Sequence, residues 1–142
     1  MRAMFMAGLA VAVGLAFGGA ALAEGHEGPH KGAIVEWGEE EYHLELVTDA
    51  KEGTVTVYVY GGEDDLKKGT AKPIDSKSLT LGLKGTPATT VKLEPAAQKG
   101  DPKGSASVFT AKGEAFKKGA KLEGTLSGKV GTKPYSGEFK QK

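Results

Sequence analysis

Thr54-Val55-Thr56-Val57-Tyr58-Val59-Tyr60 alternates valine with a hydroxyl-bearing or aromatic residue, a period of two. Neighbouring side chains on a β-strand point to opposite faces, whereas a helical face repeats every 3.6 residues. Val55, Val57 and Val59 are therefore expected inward, with Tyr58 and Tyr60 covering the second face. Just upstream, Tyr42-His43-Leu44-Glu45-Leu46 repeats the pattern: Tyr42, Leu44 and Leu46 share one face, His43, Glu45 and Val47 the other. A first strand fits 33–37, and further runs lie at 78–83, 89–93, 105–110, 121–130 and 134–139. Turn residues separate them, at Asp49-Ala50-Lys51-Glu52-Gly53, Tyr60-Gly61-Gly62, Lys84-Gly85-Thr86-Pro87 and Lys99-Gly100-Asp101-Pro102. No helical stripe competes over a useful length. Phe116-Lys117-Lys118 suits a single turn, and the charged stretch 61–69 reads as a solvated loop. Seven to eight short strands about 8–12 residues apart predict an all-β fold, an immunoglobulin-like antiparallel β-sandwich.

The amino-terminal segment follows different rules. Arg2 gives a positive start, an apolar run extends from Ala3 to Phe17, and Ala21-Leu22-Ala23 fits the small-x-small pattern of a signal-peptidase site. Gly8, Gly14, Gly18 and Gly19 interrupt the apolar run, and the polar Glu24-Gly25-His26-Glu27 follows at once. A spanning helix needs about 20 apolar residues, so a cleaved secretory signal is expected at 1–23 and no transmembrane segment after cleavage. A flexible His-containing tail at 24–32 and one β-sandwich domain at 33–142 complete the expected organisation. The chain is thus expected to be secreted or periplasmic.

Cleavage would remove 23 of 142 residues, with every Met and the only Arg. The remaining 119 residues suffice for one core. They carry 18 Lys against 18 Asp plus Glu, a formal net charge of zero. Without a basic surface or guanidinium forks, nucleic acid is excluded as a partner. There is no cysteine, hence no disulfide, and the fold must rest on packing.

The same absence removes the thiol nucleophile. No Gly-x-Ser-x-Gly elbow and no phosphate-cradling glycine loop occurs either, so an enzyme is not expected. The histidines are unevenly placed. His26, His30 and His43 all fall within the first 20 residues of the mature chain, and the remaining 99 have none. Glu41 and Glu45 lie among them, and imidazole with carboxylate suits Zn(II), Cu(II) or Ni(II). Gly28-Pro29 breaks any helix between His26 and His30, so a site would form by the tail folding onto the first strands. Cleavage after Ala23 would also place His26 third from a free amine. Two deprotonatable amides before it make a four-nitrogen plane, suited to Cu(II) or Ni(II). Trp37, the only tryptophan, is expected in the core.

Gly28-Pro29-His30-Lys31-Gly32, followed by Glu41-Tyr42-His43-Leu44-Glu45, resembles a family of small secreted bacterial proteins. That family shares a Gly-Pro-His-Gly-Gly segment and a Glu-Tyr-His-x-Glu strand. The likeness continues through Val55-Thr56-Val57-Tyr58, Pro73-Ile74-Asp75, Gly100-Asp101-Pro102 and Tyr135-Ser136-Gly137. Lys31 departs from it, standing where a glycine is usual. The resemblance implies export and an all-β domain, with His30 and His43 as the matching histidines. Similar segments occur near periplasmic adaptor subunits of heavy-metal efflux pumps, which points toward metals. Two functions from different classes are therefore expected: transition-metal binding by the His-rich region, with His26, His30, His43, Glu41 and Glu45 as candidate ligands, or a structural or interaction module that meets an envelope protein without a metal.

Overall fold

Val55, Val57 and Val59 are fully buried, as are Leu44 and Leu46, so the inward faces expected of both strands form the core. The structure, a computed structural model, describes residues 27–85, 88–117, 119 and 121–141; the expected signal at 1–23 and His26 lie outside the described residues. The strands are β1 (Ala33–Trp37), β2 (Tyr42–Asp49), β3 (Thr54–Tyr60), β4 (Leu79–Leu83), β5 (Thr89–Pro95), β6 (Val108–Lys112), β7 (Glu123–Val130) and β8 (Lys133–Lys140). A short helix, α1 (Glu63–Lys68), follows β3, and a 3-10 turn occupies Glu114–Phe116, two residues from where a single turn was expected.

All neighbouring strands are antiparallel, in the order β1-β2-β3-β6-β5-β4-β7-β8. The fold is therefore all-β. β5 pairs with β4 from Thr89 to Leu93 and then turns to β6 through Glu94 and Pro95, so one strand bends the sheet. The bend brings the two ends together, and β1 packs against β8 without joining its ladder. This nearly closed sheet does not establish the immunoglobulin-like sandwich expected from the sequence. That arrangement puts its second and third strands in different sheets, whereas β2 and β3 are hydrogen-bonded neighbours here from His43↔Tyr60 to Asp49↔Thr54. The physical reason is the short turn at 50–53, which lets two amphipathic strands pair as a hairpin.

Side chains close the seam between the sheet ends. Trp37, buried as expected, stacks on Tyr135 with ring centroids 5.5 Å apart, and its Nε1–H donates to the Leu126 carbonyl at 3.0 Å. Gly137 makes room for the approach, because a methyl there would collide with the Glu36 carbonyl. Phe109, Phe116 and Phe139 fill the interior beside Leu79, Leu81, Leu93 and Leu126. Burying each such side chain contributes about 1.5–3 kcal/mol.

A second, smaller apolar cluster sits on the outer face of β1, β2 and β3. Ile34, Tyr60 and Leu66 form it, with Tyr58 against them. Leu66 is the buried residue of α1, which lies within the stretch expected to be a solvated loop. Glu63, Asp64 and Asp65 in its first turn and Lys67 and Lys68 in its last complement the helix dipole. Among the described residues no helix is long and apolar enough to cross a membrane.

Candidate functional site

β2 presents His43, Glu45 and Val47 on its outer face, two residues apart, as its alternation requires. That face is not open to solvent. The segment 27–32, expected as part of a flexible tail, folds back over it, and Glu45 has no exposed surface. An unpaired carboxylate cannot be buried so completely without a large desolvation cost. Glu45 meets the requirement with four donors. The His30 and Gly32 backbone N–H groups donate to its Oε2 at 2.7 and 2.8 Å. The Tyr60 hydroxyl donates to Oε1 at 2.9 Å, and His30 Nδ1 lies 2.9 Å from the same oxygen.

The loop has the shape this carboxylate dictates. The Lys31 N–H donates to the Gly28 carbonyl at 2.8 Å, closing a tight turn. Gly28 sits so near that a methyl on it would collide with the Glu45 carboxylate. Lys31 takes the left-handed conformation, φ 63°, which L-residues with a side chain adopt at a cost.

His30 stacks on Tyr58, with centroids 3.9 Å apart and ring planes 10° from parallel. Its side chain is 46% exposed, so one edge of the ring faces solvent while the other faces Glu45. A nitrogen directed at a carboxylate oxygen must carry the hydrogen, so in the neutral ring Nε2 bears the lone pair. His43 is held in the same way: its Nδ1 lies 3.0 Å from the Gly61 carbonyl, an obligate acceptor, so Nε2 again bears the lone pair. The two imidazoles thus share one tautomer, fixed by different partners. His43, however, is only 2% exposed.

The expected ligands are therefore only partly brought together. His30 and Glu45 are in direct contact, but as imidazole and supporting carboxylate, since both Glu45 oxygens already accept hydrogen bonds. His43 occupies the same face, two positions along β2. Glu41 belongs elsewhere: its Oε1 accepts from the Tyr135 hydroxyl at 2.8 Å and pairs with Lys133 Nζ at 3.5 Å, at the β1–β8 seam. His26 lies outside the described residues. Among the described residues no group of three or more His, Asp or Glu side chains is gathered to hold a metal ion.

Tyr58 and Tyr60 are the site residues that sequence reasoning assigned only to sheet cover. The hairpin register pairs Glu45 with Tyr58 and His43 with Tyr60. Counting back across the turn at 50–53 would have placed both phenols beside the β2 acid. Burial, together with the hydrogen bond to Glu45, pushes the Tyr60 hydroxyl pKa well above its ordinary value. It remains a donor throughout the physiological range. Compared with known proteins, the chain matches no family model, no curated protein and no solved structure.

Proposed function

We propose that the chain is an exported, non-enzymatic β-protein of the periplasm or cell exterior that binds Cu(II), Zn(II) or Ni(II) through its His-rich amino-terminal region. One observation supports this above the others: the His30 Nδ1···Glu45 contact behind a half-exposed ring. Metal-ligating histidines characteristically donate their second nitrogen to a carboxylate, which orients the ring and raises its basicity. His30 is the proposed ligand and Glu45 its orienting partner. His26, with the amine and amides of a terminus at Glu24, is proposed to complete the shell. Titration of the chain beginning at Glu24 with each metal, followed calorimetrically, tests this. Affinity tighter than about millimolar, falling about tenfold or more in Glu45→Gln and further in His30→Ala, is the expected result. Weaker binding, or affinity unchanged when His30 and His43 are both Ala, overturns it.

A structural module meeting an envelope protein is the second reading, favoured by the self-sufficiency of the cluster. Glu45, Tyr60 and the loop amides satisfy one another's hydrogen-bonding capacity. A partner captured equally well with and without chelator would support it.

A further inference from the structure

On the opposite side of the sheet, an open groove of about 900 Å³ runs over β4, β7 and β8, walled by the segment 75–78 and the β7–β8 turn. Its floor is a row of hydroxyls set by strand register. Thr80 on β4 pairs with Ser127 on β7, which pairs with Ser136 on β8. Adjacent strands are about 4.8 Å apart, so three hydroxyls stand in line at that repeat. None of the three side chains hydrogen-bonds within the described residues.

Charge flanks the row. Lysine ion pairs among the described residues are made by Lys84, Lys92, Lys117 and Lys133. Lys77 and Lys129, which line the groove, are uncommitted. Asp75 stands at the rim, where its carboxylate can accept from a ligand hydroxyl. Pro134 adds one exposed apolar ring.

Small apolar ligands take enclosed pockets lined by hydrophobic side chains, whereas this groove is open and most of the residues along it bear a hydroxyl or a charge. Neutral hydroxyls exchange hydrogen bonds with other hydroxyls, ammonium groups pair with carboxylates, and an open trough admits a chain passing through. We infer that the groove binds an acidic polysaccharide, with Thr80, Ser127 and Ser136 meeting sugar hydroxyls and Lys77 and Lys129 meeting uronate carboxylates. This site is independent of the His30 cluster, and metal binding can fail without affecting it.

Oligogalacturonate and its fully methyl-esterified form serve as probes, titrated into the chain beginning at Glu24 and followed by amide chemical shifts. The acidic probe is expected to perturb Thr80, Ser127 and Ser136 and to bind about tenfold more tightly than the ester. A Lys77→Ala, Lys129→Ala double variant should erase that difference while leaving ester binding in place. Ser127→Val should weaken both probes. Lys77 and Lys129 are exposed and Ser127 is half-buried, and an unchanged thermal midpoint verifies that the variants are folded. Absence of binding by the acidic probe, shifts confined to other strands, or undiminished binding by the double lysine variant overturns the inference.

Discussion

Glu45 is the residue on which the outer face of the sheet depends. Its carboxylate takes hydrogen bonds from a loop, a neighbouring strand and a histidine, so each partner's position is set by one buried charge. Tyr60→Phe removes one donor from that charge and should cost about 1–3 kcal/mol near neutral pH. The pH dependence distinguishes this from lost packing. Tyr60 has a folded pKa above its ordinary value of 10.0. Its contribution is therefore fully present below about pH 10 and is lost as pH rises toward the folded value, because the unfolded chain releases the proton first. Urea unfolding of both proteins from about pH 8 to 11 should show the stability gap narrowing above pH 10. A gap that stays constant would mean the hydroxyl is not held by Glu45 in solution.

At the level of elements, most strands were readable and the coverings were not. The alternation in β3 gave that strand its full span, Thr54–Tyr60, because one buried face imposes a strict period. β6 was displaced from 105–110 to Val108–Lys112, since Ala106 and Ser107 are buried through other contacts and mimic a strand pattern. α1 escaped notice because six residues with one buried leucine carry no helical period, although its acidic start and basic end were visible. The outer face of β2 was equally visible, with the tail expected to fold onto it only around a metal ion, whereas the Glu45 carboxylate itself holds the loop there. Nothing local in β2 reveals that residues 28–32 return to cover that face. The turn in that cover makes its own prediction. Lys31 stands at φ 63°, and Lys31→Gly relieves a cost of about 1–2 kcal/mol, partly offset by glycine's greater unfolded-state freedom. A thermal midpoint raised by a few degrees is expected, and an unchanged or lower one would show that the turn carries no strain.

For the molecule as a whole, the decisive feature is a sheet whose ends meet without a ladder. The two ends are held by the Trp37–Tyr135 stack, the Tyr135–Glu41 hydrogen bond and the room left by Gly137. Gly137→Ala sets a methyl against a backbone oxygen that cannot rotate away, and overpacking of this kind costs about 1–3 kcal/mol. Hydrogen exchange should locate the damage: amides of β1 and β8 should exchange faster in the variant, while those of β4 and β5 change little. Uniform acceleration across all strands would place the loss elsewhere.

Trp37 and Tyr135 stand nearly a hundred positions apart along the chain. Local hairpins such as β2–β3 and β7–β8 can form as soon as their own residues are available, whereas joining the ends demands the costliest loop closure in the fold. During synthesis the tryptophan emerges early and waits, its aromatic partner still to be made. The sheet therefore cannot close on itself until its last strand is free, and until then only its local hairpins can form.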